Sequence, residues 1–222
     1  MKLKLSETYQ TEKEMICELC KKFYVLGWVS GTGGGMSIKV EDNLALIAPS
    51  GVQKEEIKPS DLFLIDFFLS TEHSASYSIV ENPPEHKISA CTSIFVNIYK
   101  QRASAGAVIH SHSLNAVMLT KVVKDKEVTL KGYEMLKGLE GSTYFGSHTL
   151  PILDNVEHEC DLADAVGEIV AKYPSAHAVL VRDHGIYVWG KTPQQAKVHA
   201  ECYDYLFSAY VKELHLKALN LI

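Results

Sequence analysis

The chain has 222 residues, of which 46% are hydrophobic and 22% charged, with a formal net charge of −5. These values fit a globular chain long enough for one sizeable core, and the acidic balance argues against nucleic acid as a partner. Polar residues interrupt every apolar run well before the ~20 residues that cross a bilayer, the opening MKLKLSETYQTEKE lacks the apolar core of a signal peptide, and five cysteines, an odd count, suit a reducing compartment, so the expectation is a cytoplasmic protein with no membrane partner.

In chain order, a first helix is expected from about Glu7 to Leu26, stopped by Gly27. It contains a lone CxxC, Cys17 and Cys20, with no second pair to complete a four-cysteine zinc site. Met15, Leu19 and Phe23 recur every four residues, so the two cysteines read as packed helix residues. The glycine-dense SGTGGG (Ser30 to Gly35) leads into strands near Met36–Val40 and Leu44–Ala48, separated by the turn Glu41-Asp42-Asn43. The turn APSG (Ala48 to Gly51) closes this unit, and Leu62–Asp66 reads as another strand.

Leu69 to Lys87, with STEHSAS and Pro83-Pro84, reads as a variable surface loop. Ser89 is the expected cap of a helix running to about Arg102. Ala105–His110 is an apolar strand ending in HSHS, and Ser113 can cap a helix over Leu114–Val123. Asp161–Lys172 is an amphipathic helix ending just before Pro174. Ala178–Val181 and Gly185–Trp189 read as strands around Arg182-Asp183-His184. Thr192-Pro193-Gln194-Gln195 is a strong helix start, and that last helix runs to about Leu219. No repeat or long linker divides the chain, so residues 1–222 read as a single α/β domain. Some strand pairs are joined tightly and others through helices, which points to a mixed or mainly antiparallel sheet with helices on its faces.

Three elements of this pattern can carry chemistry. His110 and His112, two residues apart in an extended segment, point to one side and can share a metal ion. His184 sits in a tight turn between two apolar strands. Three imidazoles leave one tetrahedral zinc position open, the catalytic pattern, although iron, nickel or cobalt suit the same donors. The SGTGGG loop lacks a Walker lysine and precedes a strand, so it is neither a P-loop nor a dinucleotide fingerprint. It can still cradle a phosphate through backbone N–H groups, with Ser50, Gly51 and Ser89 as further donors, or serve only as a connection that needs positive φ. Glu134, between Lys131 and Lys137, reads from the residues alone as a solvated charge or as a general acid/base.

The segments GTGGGMSIK, IAPSGVQKEEI, AGAVIHSHS, YEMLKG, VLVRDHGIYVWG and ECYDYLF, in this order, resemble the methylthioribulose-1-phosphate dehydratases, above all their eukaryotic branch, within the class II (metal-dependent) aldolase group. The resemblance runs from about Cys17 to Phe207 and implies a three-layer αβα fold with a mainly antiparallel central sheet. It also implies one zinc ion (Zn2+) per subunit on His110, His112 and His184, and Glu134 as catalytic acid/base. Cys91 falls where the family has a substrate-binding cysteine and the aldolase branch a catalytic glutamate. Gly33, Gly34 and Gly35, with Ser50, Gly51 and Ser89, fall where relatives hold the substrate phosphate. The implied activity is dehydration of a small phosphorylated keto-sugar in methionine salvage by a homotetramer with sites near subunit interfaces. A sugar-phosphate aldolase or epimerase, or a non-catalytic regulatory protein on the same scaffold, stays open as an alternative.

Overall fold

Along the apolar strands successive side chains go to opposite faces of one sheet, and each face is covered by helices. The structure, a computed structural model, describes residues 8–67 and 76–222. Its strands are β1 (Gly35–Lys39), β2 (Leu44–Ile47), β3 (Phe63–Phe67), β4 (Tyr77–Glu81), β5 (Ala107–Ser111), β6 (Glu127–Lys131), β7 (Ser147–Leu153), β8 (Ala178–Val181) and β9 (Gly185–Gly190). They form one nine-stranded sheet in the order β4-β3-β2-β1-β5-β9-β8-β7-β6. Every pairing is antiparallel except β7 with β8, which is parallel.

The helices are α1 (Gln10–Val25), α2 (Thr92–Gln101), α3 (Leu114–Val122), α4 (Ala163–Lys172) and α5 (Pro193–Ala218). Ala107 and Ile109 of β5, Leu180 of β8 and Val188 of β9 pack with α1, α3 and α5. Val108, Val179, Tyr187 and Trp189, from the alternate positions, pack with α2 and α4. The result is the expected three-layer αβα arrangement. Phe23, Phe95 and Phe207 are buried in the two cores, and each such side chain contributes about 2–3 kcal/mol through apolar burial.

Local chemistry sets the helix ends. The Thr192 hydroxyl accepts the Gln195 N–H at 3.1 Å, with Pro193 in the first helical position. Ser113 likewise accepts from the Asn115 and Ala116 N–H groups.

Four expectations are corrected. α1 begins at Gln10, and the expected start at Glu7 lies outside the described residues. Cys91, not Ser89, is the cap residue of α2; the Ser89 hydroxyl accepts the Cys91 N–H at 3.2 Å and so shapes the turn leading in. The stretch read as a loop from Leu69 to Lys87 contains β4, whose largely exposed side chains suit a sheet edge, while residues 68–75 lie outside the described residues. β6 and β7 form strands where none was expected. Among the described residues no helix is long and apolar enough to cross a membrane.

Candidate metal centre

One end of the sheet gathers the residues of interest, and the strand directions explain why. β5 ends at Ser111, immediately before His112, where antiparallel β1 and β9 begin at Gly35 and Gly185. β7 and β8 are parallel, so the chain leaving Leu153 and the chain leaving Val181 emerge at this same end. The glycine loop, His110, His112, the Arg182-Asp183-His184 turn and the Asp154–Glu159 segment therefore meet there although they are far apart in sequence.

The turn that carries His184 is tightly held. Asp183 adopts φ 58°, and its N–H donates to the Thr120 hydroxyl at 2.9 Å. The Arg182 guanidinium donates to the carbonyls of Thr120, Val123, Lys124 and Asp125, at the end of α3 and just beyond it. A Cβ on Gly185 would lie 2.1 Å from the Ser111 carbonyl oxygen, so glycine lets β9 approach β5 beside the site.

His110 is buried and stacks on Tyr187, with ring centroids 4.1 Å apart and planes 7° from parallel. Its Nδ1 lies 3.2 Å from the Ile186 carbonyl oxygen. A carbonyl only accepts, so Nδ1 carries a proton and Nε2 is the nitrogen that faces the site and the Glu159 carboxylate. The same logic holds for His184: its Nδ1 lies 3.1 Å from Asn155 Oδ1, which also accepts the Val156 N–H. His112 donates its backbone N–H to the Trp28 carbonyl at 2.8 Å, which pins the start of the glycine loop against the end of β5.

The three Nε2 atoms converge, with His112 at 2.9 Å from His110 and 3.1 Å from His184. Tetrahedral zinc with bonds of 2.0–2.1 Å places its nitrogens about 3.3 Å apart. Anchoring of the opposite ring nitrogen on an acceptor is the usual support of metal-bound imidazole. Burial, reinforced by the neighbouring rings, pushes His112 down to about 3, and burial also lowers His184. Both shifts favour the neutral imidazole, the ligating form. Together these observations show that the residues fit a divalent metal ion. The rings open on a cleft of about 330 Å³ lined by His112, Asn155, Val156, Glu157, Glu159, Asp183 and His184.

Of the other expected residues, Gly33 packs directly on the His112 ring, and Gly34, at φ 67°, lies under the His110 carbonyl. The buried Lys54 ammonium ties this loop to the next turn, donating to the Thr32 carbonyl at 3.0 Å and the Val52 carbonyl at 3.2 Å. The Ser50 N–H donates to the Lys87 carbonyl at 2.8 Å, so the Ser50-Gly51 turn runs beside the segment that leads to Ser89 and Cys91. Cys91 is buried; burial and the adjacent Glu159 carboxylate push its thiol up.

Glu134 is not brought to the histidines within one chain. It follows β6, whose last residue, Lys131, pairs with Ser147 at the start of β7, whereas the histidines lie beyond the end of β7. The seven residues of β7 separate the two positions by about 20 Å. Glu134 is exposed there and paired with Lys137 at 2.7 Å.

The sequence reading missed Glu159, Tyr187, Asn155 and Lys54. Glu159 Oε1 lies 2.9 Å from His110 Nε2 and 3.6 Å from His184 Nε2, and it accepts the Tyr187 hydroxyl. Burial alone would raise its carboxyl; His110, with the Tyr187 and Cys91 donors, outweighs this and holds it well below the usual carboxylate range. In VEHEC it looks like a loop acid, and only the parallel pairing of β7 with β8 reveals its position.

Residues 14–211 match the class II aldolase and adducin N-terminal domain family. The chain is 46% identical over 209 residues to the methylthioribulose-1-phosphate dehydratase of Gallus gallus, covering 90% of this chain and 82% of that one. It is 46% identical over 206 residues to the enzyme of the same name from Bos taurus, covering 89% and 81%. A Vitis vinifera protein named "Probable bifunctional methylthioribulose-1-phosphate dehydratase/enolase-phosphatase E1 2" is 42% identical over 214 residues, covering 91% of this chain; the chain spans only 39% of that protein's length. Among solved structures, an L-fuculose 1-phosphate aldolase superposes with a TM-score of 0.74 at 20% identity, covering 96% of this chain and 91% of that one. The enzyme of that name from Thermus thermophilus superposes with a TM-score of 0.66 at 21% identity, covering 95% and 97%.

Proposed function

We propose, from the membership of this chain in the class II aldolase and adducin N-terminal domain family, that it is a zinc-dependent lyase which dehydrates 5-methylthioribulose 1-phosphate to 2,3-diketo-5-methylthiopentyl 1-phosphate, a step of methionine salvage. The observation that carries the reading is the convergence of His110, His112 and His184 on one point at the floor of an open cleft. Identity of 46% to dehydratases over nine tenths of the chain supports the choice of reaction.

His110, His112 and His184 would hold the ion, which when bound supplies Lewis acidity that stabilises negative charge developing on a substrate oxygen as the C3 proton is lost. The backbone N–H groups of Gly33–Gly35 and the Ser50-Gly51 turn, with the Ser89 hydroxyl, bind the phosphate and fix the reacting carbons. Cys91 contributes a neutral thiol to the substrate pocket; a glutamate at this place would suit aldol cleavage. Glu134 shuttles the proton, taking it from C3 and giving it to the departing C4 hydroxyl, so that water leaves and the resulting enol becomes the diketone. Because Glu134 lies at the far end of the sheet in its own chain, this reading requires a second copy to present it. A homotetramer with its sites at subunit interfaces meets that requirement.

Incubation with methylthioribulose phosphate, followed by NMR of the products, tests the reaction. The diketone should accumulate with loss of one water. Release of dihydroxyacetone phosphate without dehydration would assign the chain to aldol cleavage instead.

A further inference from the structure

A protein carboxylate already stands against two of the three histidines. Glu159 Oε1 is 2.9 Å from His110 Nε2 and 3.6 Å from His184 Nε2. These separations bracket the roughly 3.3 Å between neighbouring donors on a tetrahedral zinc ion. The carboxylate is also held in place: the Tyr187 hydroxyl donates to the same oxygen, and the Cys91 sulfur lies within 4.8 Å of the carboxylate. Tyr187 is itself fixed by stacking on His110. Glu159 opens a 3-10 turn, Glu159–Leu162, on the wall of the cleft, and its side chain remains about one fifth exposed. Ligand, orienting donors and a route outward are thus all present.

We propose that Glu159 is a fourth protein ligand of the metal centre, closing it in the absence of substrate and swinging into the cleft when a substrate oxygen takes its place. The inference rests on the reading of His110, His112 and His184 as metal ligands. It also accounts for a partly buried acid held against His110 and His184 without assigning it a proton-transfer role.

Metal binding tests this directly, without turnover. Wild type, Glu159→Gln, Glu159→Ala and His184→Ala are stripped and titrated with zinc against a chromophoric chelator. The absorption bands of the cobalt(II)-loaded forms are recorded with no substrate present. The expected result is a 10- to 100-fold loss of zinc affinity in both Glu159 variants, with cobalt bands displaced from wild type in position and intensity. Unchanged melting temperatures of the stripped proteins show that the fold is kept. Wild-type affinity and wild-type cobalt bands in both Glu159 variants, with affinity lost in His184→Ala, would overturn the role of Glu159 and leave the histidine site standing. Full affinity in His184→Ala would overturn the histidine site itself.

Discussion

Replacing Gly33 by alanine should damage the metal centre from outside its ligand set. The alanine Cβ would lie 2.5 Å from His112 Nδ1 and 2.7 Å from its Cε1, about 1 Å inside ordinary van der Waals contact. His112 cannot give way freely, because its N–H is bonded to the Trp28 carbonyl at 2.8 Å and its Nε2 sits 2.9 Å and 3.1 Å from those of its neighbours. Metal–ligand distances tolerate only about 0.2 Å, so a shift of several tenths of an ångström removes the ring from the ion. Zinc affinity should fall about 100-fold, comparable with a severe loss of support to a ligand. Gly35→Ala is the control: two residues away, its Cβ meets nothing within 4 Å and its φ is not positive. Chelator competition on both variants decides the matter. Zinc affinity of Gly33→Ala within twofold of wild type would refute the packing argument and leave the glycine only a phosphate-binding task, visible as a raised KM.

Two further outcomes are expected. Arg182→Met should lower stability by about 3 kcal/mol, because its guanidinium is what satisfies the four carbonyls of Thr120, Val123, Lys124 and Asp125; a loss under 1 kcal/mol in urea denaturation would contradict this. Burial, with His177 and His199 nearby, pushes His148 down to about 4, so as pH falls below the unfolded value near 6.5 the unfolded chain takes a proton that the folded chain refuses. The metal-free protein should therefore lose about 2 kcal/mol from this group between pH 7 and pH 5, and His148→Gln should flatten that part of the profile; an equal slope in the two proteins would count against it.

What the sequence disclosed follows from range of interaction. β5, β8 and β9 are fully buried strands, and their continuous apolar runs show without any knowledge of neighbours. α5 announces itself through Thr192 and Pro193. β7 does not, because Pro151 interrupts its run, and such a proline counts against a strand until the pairing around it is known. β4 and β6 lie at the two edges of the sheet, and their charged or exposed side chains resemble loop. The three histidines were legible because His110 lies at the end of one strand with His112 just past it and His184 lies on a short turn. Glu159 was not, because its place depends on the parallel register of β7 and β8, and the separation of Glu134 from the histidines depends on the direction of β6. Gly33 was legible as part of a permissive loop, but its contact with His112 was not.

The central claim is that one catalytic centre combines the three histidines of one copy with Glu134 of another. The direct measurement is diketone formation by a mixture of His184→Ala and Glu134→Gln proteins after subunit exchange. Each variant alone should be inactive, and the mixture should recover about a quarter of wild-type activity, the share of interfaces at which random exchange joins intact histidines to an intact Glu134. An inactive mixture with exchange confirmed, or full activity in Glu134→Gln alone, would contradict the account.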